Sequence, residues 1–229
     1  MLELDGCVFG NGGFRLAADW ALDAGARCAV LGPSGAGKST LLAGIAGFAD
    51  QVSGTVRADG QALPPVPQHR PVAMLFQDHN LFPHLTVAQN VGLGLRPSLK
   101  LTAAERARVA DALGQVGLAG LEARKPAELS GGQQSRAAIA RLLVMARPVM
   151  LLDEPFSALG PAQRTDMLRL VVEVAAKVSA SVIMVTHNPE EARALAGLVS
   201  FVDGGVASVP APVEDFFARP PQALRDYIG

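Results

Sequence analysis

Three short runs in this chain are apolar with no polar alternation: Arg27 to Leu31, Val149 to Leu152 and Ser181 to Thr186. A strand that is apolar on both faces belongs in the middle of a sheet covered on both sides, so all three are expected to be buried, parallel strands. Each leads into a segment with helix signals. Lys38 to Phe48 follows the first, and after the second Pro161 opens a helical pattern running to about Val178. After the third, Asn188 reads as an N-cap, with Pro189 at the first helical position and Glu190 and Glu191 in the first turn. Strand, loop and helix three times over predict an α/β fold with a parallel sheet and helices on its faces.

The middle of the chain has a different period. From about Pro83 to Pro148 the pattern is largely helical. Thr102-Ala103-Ala104-Glu105 has the form of a capping box and should start a helix that stops near Gly117. A second helix is expected from about Gly132 to Met145, ahead of Arg147-Pro148. The alternation at Leu2 and Leu4, and later at Thr55 and Val56, adds antiparallel strands near the N-terminus. The organisation expected over 1–229 is therefore one unit: a parallel-sheet core, an N-terminal antiparallel β subdomain, and a helical subdomain at about 83–148 inserted into the core.

Composition narrows the function classes. No stretch reaches the roughly 18 consecutive apolar residues of a membrane span, and the acidic start Met1-Leu2-Glu3-Leu4-Asp5 does not read as a signal peptide. A net charge of −1 gives no general attraction for nucleic acid or anionic lipid. The two cysteines, Cys7 and Cys28, lack metal-site spacing, and Cys28 reads as a buried core thiol. Mean hydropathy is +0.27, high for a chain without a span; a doubly covered sheet and an apolar partner surface would both raise it.

The candidate chemistry starts at Gly32-Pro33-Ser34-Gly35-Ala36-Gly37-Lys38-Ser39-Thr40. The spacing Gly-x4-Gly-Lys-Ser, after a buried strand and opening a helix, is that of a phosphate-binding loop. Its glycines let backbone N–H groups converge on phosphate oxygens, and the helix N-terminus adds partial positive charge. Lys38 supplies a full charge to β- and γ-phosphates, Ser39 can ligate Mg²⁺, and Thr40 is placed for the α-phosphate. Asp153 and Glu154 end the second buried strand, and a parallel sheet presents its ligand site at that end. Asp153 suits the Mg²⁺ shell through water, and Glu154 suits a general base toward the attacking water. ATP and Mg²⁺ are the implied ligands.

With Leu129-Ser130-Gly131-Gly132-Gln133 between those motifs, the chain resembles the nucleotide-binding domain of ABC transporters along essentially its whole length. The residues agree independently: Ser130 and two glycines at a helix start make a second anion-receptive N-terminus. The resemblance implies a P-loop ATPase in which two copies meet head to tail, each ATP lying between one copy's Gly32–Thr40 loop and the other's Ser130, Gly131, Gly132 and Gln133. It implies further that Gln77 touches Mg²⁺ and senses the membrane partner, that His187 contacts the γ-phosphate, and that Phe9 stacks on adenine, with Phe14 as the rival. One departure stands out: the family's Ser-Ala-Leu-Asp is here Ser157-Ala158-Leu159-Gly160, so an interface carboxylate is missing. Ser135 and Asn188 replace a common glutamine and aspartate without evident harm.

The stretch from Arg70 to Leu101 looks like the corresponding region of the ATP-binding subunits of Gram-negative thiamine importers. That implies an energy-coupling ATPase for thiamine or its phosphates. It would sit on the cytoplasmic face of the bacterial inner membrane, bound to permease subunits and indirectly to a periplasmic solute-binding protein. Phe76, Leu81, Phe82 and Leu85 would offer the permease an apolar platform. The alternatives are an importer for sulfate, molybdate or iron, a soluble non-transport ABC ATPase, and a regulatory nucleotide-binding module with little turnover.

Overall fold

The computed structural model describes residues 1–77, 80–157, 159–222, 224 and 225. Asp78, His79 and Ala158, which belong to the stretches quoted above, lie outside the described residues. The three apolar runs are strands β3 (Arg27–Leu31), β7 (Val149–Asp153) and β8 (Ser181–Val185), and nearly every residue in them is buried. With β6 (Val72–Leu75) and β9 (Leu198–Asp203) they form a parallel block in the order β9-β3-β8-β7-β6. Two-sided burial explains why these strands carry no alternation.

The N-terminal strands β1 (Leu2–Asn11), β2 (Phe14–Leu22), β4 (Asp50–Ala58) and the short β5 (Gln61–Ala62) pair antiparallel in the order β5-β4-β1-β2. The two-residue β10 (Val206–Ala207) pairs with both β2 and β9 and joins the blocks into one sheet. A last short strand, β11 (Ala211–Pro212), pairs with β9. In β1 the register shifts between Leu4 and Cys7. Before the shift the even residues Leu2 and Leu4 are buried; after it the odd residues Cys7 and Phe9 are. One inserted residue reverses which face each side chain takes.

Helix α1 (Lys38–Ala46) packs Leu41, Leu42 and Ile45 against the inner faces of β1, β2 and the parallel block. It ends two residues before the expected Phe48. Gly47 takes a left-handed φ of 87°, and the Phe48 N–H turns back to the Ala43 carbonyl. The opposite face of the sheet is covered by α4 (Gly131–Met145) and α5 (Pro161–Lys177), which share one core with α2 (Val87–Gly92) and α3 (Ala103–Gln115). All three of α2, α3 and α4 lie between β6 and β7 in the chain. The Thr102–Glu105 capping box forms on both sides: the Glu105 N–H donates to Thr102 Oγ1 and the Thr102 N–H to Glu105 Oε2. A smaller cluster joins α6 (Pro189–Leu195) to α7 (Val213–Ala218) through Ala192, Phe201 and Phe216. Both cysteines are buried free thiols, and burial pushes them up, Cys7 to about 11 and Cys28 to about 12.

Candidate active site

Four adjacent parallel strands, β3, β8, β7 and β6, release the chain at the same edge. Registers Val30 with Val185, Asp153 with Val185 and Leu75 with Leu152 bring their carboxyl ends level. Everything the sequence singled out in the core leaves from that edge: the Gly32–Thr40 loop, His187, the Asp153–Glu154 pair and Gln77. This is where an α/β sheet takes its ligand.

The loop's glycines answer to crowding as well as to φ. At Gly32, with φ of 151°, a Cβ would stand 2.2 Å from the Val202 carbonyl oxygen of β9. At Gly37, with φ of 107°, it would stand 2.6 Å from the edge of the Phe14 ring. A side chain at Gly32 would push the loop off β9, and one at Gly37 would displace the Phe14 ring. No acidic residue sits in the first turn of α1, so the positive end of its dipole is unopposed. Lys38, buried, donates from Nζ to the carbonyls of Gly32 and Pro33 at 2.8 Å each, which leaves a third proton for the cleft. Burial lowers its pKa, and Glu154 and Asp153 pull in the opposite direction.

Ser39 Oγ donates to Asp153 Oδ1 at 3.2 Å, which puts a hydroxyl and a carboxylate side by side at the mouth of the loop. Burial raises the Asp153 pKa, the Ser39 bond opposes the rise, and Glu154 adds to it. Glu154 adopts a left-handed φ of 42°, unusual for a branched-chain-sized L residue, and its N–H donates to Val185 on β8 at 3.1 Å. The strained turn aims the carboxylate at His187, with Oε2 3.1 Å from Nδ1. A carboxylate oxygen accepts, so the contact calls for the tautomer with the proton on Nδ1, which leaves Nε2 as an acceptor. Phe14, Ser34, Gly35, Gly37, Lys38, Ser39, Thr40 and Glu154 line a cleft of about 370 Å³. Gln77 is exposed, two residues beyond the end of β6 and beside the Asp153–Glu154 turn by register.

Ser130 caps α4: the Gln133 N–H donates to its Oγ at 3.3 Å and Gln133 Oε1 accepts from the Ser130 N–H at 2.9 Å. Ser130 and Gly131 are exposed, and none of 130–133 lines the cleft around Lys38. The start of α4 therefore stands outside the cleft at the start of α1.

Residues 17–157 match the family described as ABC transporter. The chain belongs to the ABC transporter family. Within it the chain is an ATP-binding subunit, an ATPase coupled to transport. It is 55% identical over its full length to the full-length Thiamine import ATP-binding protein ThiQ of Cereibacter sphaeroides. It is 52% identical, again over the whole of both chains, to the protein of the same name from a Ruegeria species. Among solved structures it superposes at a TM-score of 0.80 and 26% identity on the ATP-binding cassette MJ0796 in a dimeric post-hydrolysis state with ADP and Pi. That match covers 93% of this chain and 99% of the other. A TM-score of 0.80 at 26% identity also relates it to cbiO1 of Clostridium perfringens, with 98% of this chain and 93% of the other covered.

Against the ABC pattern, one expected residue is displaced. Phe9 is wholly buried, and a Cβ on Gly44 of α1 would sit 2.3 Å from its ring. It is a core residue with no face to offer a ligand. Phe14 is the aromatic at the cleft, 36% exposed with its ring edge against Gly37. Gly160 is the N-cap of α5 without a side-chain bond, and a Cβ there would meet nothing within 4 Å. The missing carboxylate is thus not excluded by space. Ser135 is buried and bonds back to the Gly131 carbonyl at 3.1 Å, a local use of the position.

The apolar platform is also redrawn. Phe76 lines an open cleft of about 430 Å³ with Phe48, Met74, Met145 and Arg147, its ring 6.0 Å from that of Phe48. Phe82 is 47% exposed, whereas Leu81 packs inward on the helical core. The sequence reading missed Phe48, Arg70 and Asn90. Buried Arg70 caps the carboxyl end of α1 by donating from Nη1 to the Gly44 and Ile45 carbonyls. Buried Asn90 accepts from the Phe82 N–H and donates to the carbonyls of Phe82, Leu85 and Thr86, fixing the 82–86 turn. The Thr86-x-x-Gln89 box just ahead of it was the available signal.

Proposed function

We propose that this chain is the energy-coupling ATPase of a bacterial importer for thiamine or its phosphates. It works as a head-to-tail dimer on permease subunits at the cytoplasmic face of the inner membrane, with a periplasmic binding protein delivering solute. The observation that carries the reaction is the Glu154–His187 contact of 3.1 Å at the mouth of the phosphate loop. The loop N–H groups, the α1 N-terminus and Lys38 hold the triphosphate. Glu154 accepts a proton from water as its oxygen attacks the γ-phosphorus; the bond to the β-γ bridging oxygen breaks, and ADP and phosphate result. His187, once Nε2 is also protonated, holds the γ-phosphate through it and keeps Glu154 in place through Nδ1. The Ser39 and Asp153 oxygens, with Gln77, suit a hard divalent cation, and Mg²⁺ bound there would supply charge neutralisation at the phosphates. The partner copy's Ser130–Gln133 closes each site.

The apolar Phe48–Phe76 cleft suits a short permease helix. Solute identity rests on the full-length resemblance to thiamine import proteins. Reconstitution with the permease and binding protein of its own system tests it: ATP-dependent uptake of labelled thiamine is expected, and uptake of another solute without thiamine would sink the assignment.

Adenine is assigned to Phe14. Stacking of a base on an aromatic ring is worth about 1–3 kcal/mol, so Phe14→Ala should raise KM for ATP by about 5- to 150-fold with little change in unfolding temperature. Phe9→Ala should do the reverse, destabilising the fold by about 3–5 kcal/mol as a core cavity opens under α1. Equal KM values for Phe14→Ala and the unaltered chain would refute the assignment.

A further inference from the structure

A chain of side-chain contacts behind the site closes a ring through both members of the Glu154–His187 pair. Thr186, buried at the end of β8 and next to His187, donates from Oγ1 to Oε2 of Glu191 on α6. The same Oγ1 accepts from the Asn188 N–H at 3.1 Å, so the turn carrying His187 is pinned on both sides. The other oxygen of Glu191, itself buried, is 3.1 Å from Nε of Arg164 on α5. Arg164 then donates from Nη2 to the Leu159 carbonyl at 3.0 Å. Leu159 bonds back to Phe156, and Ser157 bonds back to the Glu154 carbonyl. The ring returns to Glu154 and, through its carboxylate, to His187.

We propose that Arg164 and Glu191 are positioning residues for hydrolysis: they fix the loop after Glu154 relative to the turn bearing His187. The proposal rests on the roles given to Glu154 and His187 above. Neither residue reaches the cleft, since the lining there is the phosphate loop, Phe14 and Glu154. What the pair controls is distance. Glu154 sits in a left-handed conformation that its surroundings must enforce, and Gly160, the N-cap of α5, offers no side-chain anchor. The guanidinium on Leu159 provides that anchor, and Glu191 ties it to the histidine turn. Arg164 Nε lies at ion-pair distance from the Glu191 carboxylate without a hydrogen bond to it, so charge holds the carboxylate while Nη2 holds the Leu159 carbonyl, and an ammonium on a flexible stem would not keep both in place.

A buried ion pair can also be replaceable filler, and exchange for apolar residues then leaves stability unchanged or higher. That separates the two roles. The double variant Arg164→Met with Glu191→Leu, assembled into the transporter, should keep ATP affinity and unfolding temperature while kcat falls about 10- to 100-fold, the loss expected from misplaced reacting groups. Glu191→Gln, which keeps an acceptor for Thr186 but no charge for Arg164, should fall between, and Arg164→Lys should recover only part. An unchanged kcat in the double variant would overturn the proposal. So would ATP affinity, kcat and unfolding temperature dropping together, which marks a structural pair only. Glu154→Gln run in parallel separates the failures: if that variant still hydrolyses ATP at the unaltered rate, the assignment of the base is what fails.

Discussion

Glu154→Gln is expected to bind ATP as the unaltered chain does, to hydrolyse it about 10²- to 10⁴-fold more slowly, and to accumulate as an ATP-bound dimer. The amide has the shape of the carboxylate, so the turn held by the Val185 carbonyl and the contact with His187 both persist. What disappears is the ability to accept a proton from water. Binding depends on different atoms: the loop N–H groups, the α1 N-terminus and Lys38. Loss of the neighbouring negative charge leaves Lys38 with one fewer attraction, which frees it toward phosphate. In the proposed head-to-tail dimer, ATP that binds and is not cleaved should hold the two copies together, because hydrolysis would remove the shared γ-phosphate. Light scattering on a size-exclusion column reads this as a shift from 23.7 kDa to twice that mass with ATP and none with ADP. A variant that stays monomeric in saturating ATP would contradict the shared-site reading. One that hydrolyses ATP normally would contradict the choice of base.

The parts of this architecture written in local signals are legible in the sequence. Strand β3 was placed to the residue because two-sided burial leaves an unbroken apolar run. Helix α3 was placed because Thr102 and Glu105 announce its first turn. The site followed, since a phosphate loop and two carboxylates at strand ends must converge when the strands are parallel neighbours. What was not legible depended on events between segments. Phe9 was placed at the adenine by its match to the ABC pattern, with Phe14 as the rival; the register shift before Cys7 turns Phe9 inward, and nothing in the spacing of apolar residues marks that shift. Gly54, whose Cβ would meet the Gly6 carbonyl at 2.3 Å, belongs to the same irregularity, yet a glycine alone does not tell a bulge from a turn. The Arg164–Glu191 pair spans two helices and has no periodic signature at all. Arg70 reads in sequence as one more surface cation until the end of α1 is seen to rest on it.

Lys38→Ala and Ser130→Arg should each abolish hydrolysis alone and restore it when mixed. Lys38→Ala removes the charge on the β- and γ-phosphates; Ser130→Arg fills the exposed cap of α4 that is meant to meet the partner's nucleotide. In a head-to-tail dimer with one chain of each kind, one site combines both defects and the other combines an intact loop with an intact signature. Half of the dimers in an equimolar mixture are of this mixed kind, so independent sites predict about a quarter of the unaltered turnover, and obligatory coupling predicts close to none. Gly160 decides which to expect. On the proposed head-to-tail reading, an aspartate at that position would give each copy an acceptor across the seam; Gly160 has no side chain and leaves α5 without a capping bond. With that link missing, the two sites should fire separately, and the mixture should recover near a quarter. Gly160→Asp, for which there is room, should then lower the recovery by tying the sites together. Full activity in Ser130→Arg alone would mean that each chain completes its own site, against the separation of Ser130 from the Lys38 cleft in this fold. The phosphate loop would then need no partner, and Gly160 no explanation.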